Sequence, residues 1–197
     1  MVLESPLTYK GRALSDQEAV LALGRAGTVT LVDAHLLRSL ARWRWVSIGG
    51  YAFYKASGTF LARLLLGAPP FDGAEVDHRD GDKLNNKRDN LRWCLPSQNK
   101  ANRRKYHTRR HSRNTSNYKG VVRHKQRWVV RIQKYGQVGG FTSESEAARM
   151  YDRMARQLYG EFACVNFPEP GERSALSGDI VPFPSTIGPS GSMENNE

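Results

Sequence analysis

The sequence predicts an α+β protein in which a small ββα unit is followed by a three-stranded antiparallel sheet packed on one helix. Residues 76–105 have the pattern strand, loop, strand and helix, and the loop is rich in Asp, Gly and Asn, which favour turns. Three short β-rich runs begin near Asn117 and precede a helical pattern over residues 144–159. Ser143 and Gly160 are suited to begin and end this helix.

The first 66 residues are expected to support the ββα unit. Ser15 followed by Glu18 forms a capping box, which predicts a short helix that continues through Leu23 and ends at Gly24. The other expected elements are a strand over residues 27–32, a helix capped by Asp33 with Leu36, Leu37 and Leu40 on one face, an aromatic hairpin over residues 42–55 and an apolar run over residues 59–66.

The charge of the chain favours a nucleic-acid partner. Its formal net charge is +11 and its pI is near 10.0. No Asp or Glu occurs between Asn90 and Ser143, a span that holds fourteen of the thirty Lys and Arg residues. We therefore expect a nucleic acid as the partner, because each neutralised phosphate releases counterions. An anionic membrane is the weaker alternative, since no basic amphipathic helix or lipidation signal accompanies the charge.

Cysteine usage and hydropathy exclude several other classes of protein. Cys94 and Cys164 are the only cysteines and form no C-x-x-C pair, so neither a disulfide framework nor a cysteine zinc site is expected. His107 and His111 lie four residues apart without a third ligand nearby, and zinc is not expected there either. No signal peptide or membrane-spanning run is recognised, which predicts an intracellular protein.

The residue types in the ββα unit are those of a single-metal phosphodiesterase site. Asp77 and His78 directly follow an apolar approach, Asn90 precedes the second strand, and Asn99 lies in the helix. Asp and Asn oxygens suit a hard cation such as Mg²⁺. A neutral imidazole can accept a proton from water near pH 7. A single histidine in an Asp-rich loop is usually a solvated turn residue, so it is the whole pattern that favours a catalytic site.

Residues 75–103 resemble the HNH endonucleases of phage homing elements. The resemblance rests on the run Asp-His-x-Asp-Gly-Asp, then Asn-Asn, Asp-Asn-Leu-Arg and Asn-x-x-Asn. It implies that Asp77 and Asn99 hold a divalent cation (Mg²⁺ or Mn²⁺), that His78 is the general base and that Asn90 orients its imidazole. One departure is Ala62, where related sequences often have a histidine.

About fifty residues from Asn117 resemble the AP2 DNA-binding domain. The resemblance is carried by Tyr118-Lys119-Gly120-Val121, Trp128, Gly140-Phe141-Thr142, Glu146-Ala147-Ala148, Tyr151-Asp152 and Val165-Asn166-Phe167-Pro168. It implies a sheet that enters the major groove. The expected DNA contacts are made by Arg123, Arg127, Trp128 and Arg131, with Lys125 and Lys134 on phosphates. Packing of Trp128 at the core or a sheet edge is an equal alternative, and the third strand looks shorter than is usual.

The two units are joined by a basic connector with little apolar content. Its cations are expected either to follow the DNA backbone or to be a solvated spacer; they are Arg103, Arg104, Lys105, Arg109, Arg110 and Arg113. The predicted organisation is an N-terminal segment with a short helix (1–26), an HNH domain (27–105), a basic linker (106–116), an AP2 domain (117–168) and a disordered tail (169–197).

Together these features predict a metal-dependent DNA endonuclease of the homing or phage type. It would hydrolyse a phosphodiester and nick double-stranded DNA as a monomer, targeted by the AP2 domain, with no small-molecule substrate. The alternative is a non-catalytic, sequence-specific DNA-binding regulator that uses the AP2 domain alone. That alternative predicts erosion at the four HNH positions, and none is eroded. An RNA-binding structural protein would gain nothing from a hydrolytic site.

Overall fold

The computed structural model describes residues 7–24, 27–105, 116–133 and 135–182. These ranges form a mixed α/β structure with several small sheets. The N-terminal elements are β1 (Thr8–Tyr9), β2 (Arg12–Ala13), β3 (Glu18–Ala22), β4 (Val29–Asp33), α1 (Leu37–Leu40), β5 (Trp45–Ile48), β6 (Tyr51–Tyr54), β7 (Thr59–Phe60), α2 (Leu61–Leu66), β8 (Glu75–His78), β9 (Leu91–Cys94) and α3 (Pro96–Ala101). The C-terminal elements are β10 (Val121–His124), β11 (Arg127–Ile132), β12 (Gly136–Phe141), α4 (Glu144–Tyr159), β13 (Cys164–Val165) and β14 (Arg173–Ser174).

The short helix predicted through Leu23 is wrong, because this segment is the strand β3. It pairs antiparallel with β4, and Ala19, Leu21 and Leu23 alternate into the core with the period of a strand. The Glu18 carboxylate still accepts from the Ser15 amide (3.1 Å), as it would in a capping box. The local capping signal is therefore real, but pairing with β4 decides the conformation of the residues that follow.

Glu18 also makes the stability of this hairpin depend on pH. Its carboxylate accepts hydrogen bonds from Arg12 at 2.8 and 3.0 Å, and these hold the pKa of Glu18 at about 2, below the usual 4.5. A lowered carboxyl pKa stabilises the fold above the unfolded pKa, and this contribution is lost as pH falls through the folded pKa.

We expect Glu18→Gln to remove the part of the acid-induced loss of stability that occurs between pH 4.5 and about 2. Thermal melting of both proteins across this range measures the effect. Asp16→Asn, an exposed acid in the same turn, is the control and should melt like the wild type at every pH. Parallel pH profiles for wild type and Glu18→Gln would contradict the prediction.

The predicted strand over residues 27–32 and the aromatic hairpin are both confirmed, as β4 and as β5 paired with β6. Trp45 is buried in the N-terminal core, and its indole nitrogen donates to the Leu40 carbonyl oxygen (2.9 Å). Asp33 makes no side-chain cap, because its carboxylate instead accepts from the Arg88 amide (2.9 Å). The predicted helix is one 3₁₀ turn followed by α1.

β4 also connects this N-terminal sheet to the Asp- and Asn-rich loop. The Leu31 amide donates to the Leu84 carbonyl oxygen, and the Asn86 amide donates to the Leu31 carbonyl oxygen, both at 2.8 Å. The loop that follows His78 is therefore held as an extra edge of the sheet.

The C-terminal unit contains a three-stranded antiparallel sheet in the order β10, β11, β12, with α4 packed against it. The helix predicted over Glu144–Tyr159 is confirmed. Ser143 caps it by accepting from the Glu146 amide, and it ends at Gly160. Small residues on α4 (Ala147, Ala148 and Ala155) are buried against the sheet and allow a close approach.

Residues 169–182 differ from the predicted disordered tail. β14 pairs in parallel with β13, and Ala175 is fully buried. Arg156 of α4 donates to both carboxylate oxygens of Glu172 at 2.7 Å. The Pro-, Gly- and Ser-rich composition correctly indicates a lack of periodicity, but burial here depends on partners distant in sequence. Residues 183–197 lie outside the described ranges. Within those ranges no helix is long and apolar enough to cross a membrane.

Candidate active site

Asp77 and His78 end β8 at the floor of a cleft of about 590 Å³. β8 pairs with β9, and α3 packs beside them, so strand, loop, strand and helix have the predicted order. The cleft is lined by residues of this unit and of the C-terminal segment, among them Asp77, His78, Asn99, Asn102, Arg103, Arg104 and Arg173.

Asp77 is almost completely buried, with 3% of its surface exposed. The Asn102 carboxamide nitrogen donates to both of its oxygens, at 2.8 and 3.0 Å, and to the His78 carbonyl oxygen at 2.9 Å. Asn102 therefore fixes the carboxylate and the backbone beside it. Sequence reasoning did not assign Asn102 a role, although it is the second Asn of the Asn-x-x-Asn motif.

Arg92 links the same carboxylate to the C-terminal unit. Its Nε and Nη2 lie 2.9 Å from Asp77 Oδ2, and only 11% of its side chain is exposed. Its Nη1 donates to the carbonyl and carboxylate oxygens of Glu161, both at 3.1 Å, and the guanidinium lies 3.8 Å from the centre of the Phe162 ring. Asp77, the predicted metal ligand, is thus held by Arg92, which is in turn held by Glu161 and Phe162 of the C-terminal unit.

We expect Arg92→Met to lower the free energy of unfolding by about 3 kcal/mol or more, because it leaves a buried carboxylate without its cation. Urea denaturation measures the change. Arg79→Met is a matched control: Arg79 pairs with the same Glu161 at 3.5 Å, but 44% of its side chain is exposed. The control should lose less than about 1 kcal/mol. Equal losses in the two variants would show that the buried pair has no special weight.

The His78 imidazole is buried (6% exposed) and lies in a chain of polar contacts. Asn86 Oδ1 is 3.4 Å from His78 Nε2, and Asn86 Nδ2 donates to Thr30 Oγ1 at 2.8 Å. Because the Asn86 nitrogen is directed to Thr30, its oxygen faces the ring and favours a proton on Nε2. Nδ1 is then the proton acceptor. Burial lowers the pKa of His78 below its usual 6.5, which favours the neutral base.

Asn90 does not make the contact expected of it. Its Nδ2 donates to Asp80 Oδ1 (2.9 Å) and the Asn85 carbonyl oxygen (2.8 Å), and its Oδ1 accepts from the Asp80 amide (3.1 Å). Asn90 is the last residue of a 3₁₀ turn, and its side chain stabilises the loop that contains Asp80 and Asn85. The contact with the imidazole is made by Asn86, which the sequence indicated only as a turn residue.

Asp77 and Asn99 both line the cleft, and their roles as metal ligands stay predictions. The side-chain nitrogen of Asn99, Nδ2, donates to Glu75 Oε2 (2.7 Å). This contact does not use the side-chain oxygen, Oδ1, which is the atom that would bind a cation. Within the described ranges no three His, Cys, Asp or Glu side chains form a metal-binding group. The donors present fit Mg²⁺ held by one carboxylate and one amide oxygen, completed by water and phosphate, which is how this ion is often bound.

The residues predicted to bind DNA fall on different parts of the molecule. Arg127 and Arg131 are exposed and alternate with Trp128 and Val130, which face the core, so they lie on the outer face of the sheet. Trp128 packs against the core, with the Arg123 guanidinium 5.0 Å from its ring centre. Trp128 is thus partly buried, and its contact with DNA stays a prediction.

The remaining cations lie in turns and at the cleft. Lys125 is exposed in the β10–β11 turn, whereas Arg103 and Arg104 line the cleft. Lys105 donates to the carbonyl oxygens of Ser116 and Tyr118. Four of the predicted contacts lie outside the described residues: Arg109, Arg110, Arg113 and Lys134.

Comparisons with known proteins agree with this geometry. A family model described as HNH endonuclease matches residues 62–101. An uncharacterised HNH endonuclease of Acanthamoeba polyphaga mimivirus is 32% identical over 156 residues, covering 73% of this chain and 78% of that protein. Protein 3.8 of Escherichia phage T7 is 35% identical over 95 residues, covering 46% of this chain and 74% of that protein.

A further similarity covers a smaller share of the chain. APETALA2-like protein 2 of Oryza sativa subsp. indica is 35% identical over 85 residues, which are 35% of this chain and 20% of the plant protein. No solved structure matches the chain. The family model and the extended similarity to the mimivirus protein show that the chain belongs to the HNH endonuclease family and is a DNA nuclease.

Proposed function

We propose that the protein is a metal-dependent endonuclease of the homing or phage type that nicks DNA at sites selected by an AP2-like C-terminal domain. The catalytic part of the proposal rests on one observation: the buried Asp77 carboxylate and the buried His78 imidazole line the same cleft, and each is held by other side chains. Asp77 is held by Asn102 and Arg92, and His78 is held by Asn86. Orientation of this kind reduces the reorganisation needed when a phosphodiester enters.

The proposed hydrolysis uses His78 as general base. Its Nδ1 takes a proton from a water molecule, whose oxygen then attacks the scissile phosphorus. The Asn86 contact favours the proton on Nε2, which leaves Nδ1 as the acceptor for the water proton. Asp77 and Asn99 would hold the divalent cation, which supplies stabilisation of the charge on the leaving 3′ oxygen. A single copy of this site cuts one strand, which favours nicking by a monomer.

Targeting is proposed to come from the outer face of the sheet. Arg127 and Arg131 are exposed there, on the side away from α4, and a β-sheet of this width fits the major groove. The similarity to a plant APETALA2-like protein supports this assignment. Arg109, Arg110 and Arg113 of the linker would follow phosphates between the two units.

Supercoiled plasmid incubated with the protein and Mg²⁺ or Mn²⁺, with and without EDTA, tests the proposal. We expect conversion to the open circular form that needs the metal and stops with the chelator. Linear product without an open circular intermediate would contradict nicking. Binding to DNA without any cleavage in either metal would favour the non-catalytic regulator instead.

A further inference from the structure

The C-terminal segment (residues 169–182) reaches the nuclease cleft. Arg173, Ser177, Gly178 and Asp179 line it together with Asp77 and His78. The segment is anchored by main-chain hydrogen bonds, from the Ala175 amide to the Val165 carbonyl oxygen (2.6 Å) and from the Lys105 amide to the Ala175 carbonyl oxygen (3.0 Å). One wall of the active site is therefore built from residues that follow the AP2-like domain.

Arg173 is the one basic residue in this segment. It is 9% exposed, its Nε donates to the Gly178 carbonyl oxygen (2.8 Å), and its Nη1 donates to the Asn102 carbonyl oxygen. Its guanidinium lies against Gly81, where φ is 71° and an added Cβ would overlap it. The guanidinium is thus fixed between Asn102, which also holds Asp77, and Gly81 in the loop that follows His78.

The third nitrogen, Nη2, lies against Gly81, a residue that lines the cleft. Within the described ranges Nη2 has no acceptor, and no fully buried side-chain nitrogen or oxygen there lacks a partner. It follows that Nη2 is not fully buried. Nη2 is therefore in a position to donate to a ligand that enters the cleft.

Arg173 itself has no acidic partner in the described part of the chain, although the carboxylates of Asp80 and Asp179 also line the cleft. Asp77 is paired with Arg92, and Asp82 accepts from Lys10 (2.6 Å) and Tyr9 (2.8 Å). Arg173 is held by two neutral carbonyl groups, and among the described residues no carboxylate lies within ion-pair distance of it. A largely buried cation without a counter-ion is costly, and a phosphate oxygen would offset that cost.

We infer that Arg173 is a phosphate-binding residue of the nuclease site, supplied by the C-terminal segment, and that it contacts the DNA backbone in the cleft. This inference rests on the proposed function, in that the cleft must receive DNA. It differs from the linker and sheet contacts because it places a backbone contact beside Asp77 and His78.

The test is binding of a random-sequence duplex in EDTA, so that no metal or cleavage is involved. Affinity falls with salt, and the steepness of log affinity against log salt is measured between about 50 and 200 mM. Arg173→Gln should reduce this steepness by about 0.9, the value for one phosphate contact. Arg173→Lys retains the charge and should keep the slope. Arg153→Gln, which removes an exposed arginine from the outer side of α4, is the matched control and should leave the slope unchanged.

Thermal melting of each variant separates the phosphate contact from a purely structural role. A lower melting temperature with an unchanged slope would make Arg173 only a brace between Asn102 and Gly178, and would overturn the inference. If Arg173→Gln does not melt cooperatively, Arg173→Met retains the aliphatic stem and serves in the same comparison. Failure of the wild type to nick plasmid with both Mg²⁺ and Mn²⁺ would refute the proposed function, while a reduced slope for Arg173→Gln would still support the phosphate contact.

Discussion

Replacing His78 by alanine is expected to lower DNA cleavage by about 100-fold or more, the usual scale for loss of a general base. Duplex binding should be nearly unchanged, because the imidazole is buried on the floor of the cleft and not on the basic surface. Single-turnover cleavage at saturating protein measures the rate, and binding in EDTA measures affinity. His35→Ala, an exposed histidine in the 3₁₀ turn before α1, is the matched control and should cleave close to the wild-type rate.

The pH dependence of the wild-type rate should identify the same group. The pKa of His78 is lowered below 6.5 by burial, so the base form persists to lower pH than for an exposed histidine. The rate should rise with pH and level off below this value, and the rise should be absent from the residual activity of His78→Ala. Cleavage by His78→Ala at the wild-type rate would remove His78 from the mechanism.

Changing Arg127 and Arg131 together to Gln is expected to weaken binding to the specific target roughly 100-fold or more. Each base-reading arginine contributes about 1–3 kcal/mol, and about 1.4 kcal/mol is tenfold in affinity. Binding to the target duplex and to a random duplex of equal length is compared at one salt concentration. Both arginines are exposed and do not touch the core, so the melting temperature should stay near that of the wild type.

The matched control is Arg149→Gln with Arg153→Gln, which removes the same charge from the exposed side of α4. It should reduce the affinity for both duplexes slightly and equally. An equal loss on both duplexes for the Arg127 and Arg131 variant would make these residues phosphate contacts. Unchanged affinity for both duplexes would exclude the outer face of the sheet as the reader of DNA.

The sequence alone determined the elements whose signals are local. Residues 75–103 predicted strand, loop, strand and helix, and β8, β9 and α3 are present in that order. The limits of α4 followed from a capping serine and a terminal glycine a helix length apart. The proximity of Asp77 and His78 to Asn99 was also predictable, because one hairpin and one helix bring them to the same cleft.

The tertiary structure decided which partners the side chains have. Pairing with β4 turned a helix-capping signal into the strand β3, and the edge of β4 directed Asn86, not Asn90, toward the imidazole. The segment after Glu169 acquired structure from β13, which carried Arg173 into the nuclease cleft. Each of these outcomes depends on hydrogen bonds or burial between residues far apart in the chain. Propensities and spacing describe only neighbouring residues, whereas the energy of a buried polar contact depends on whichever distant group the folded chain brings within reach.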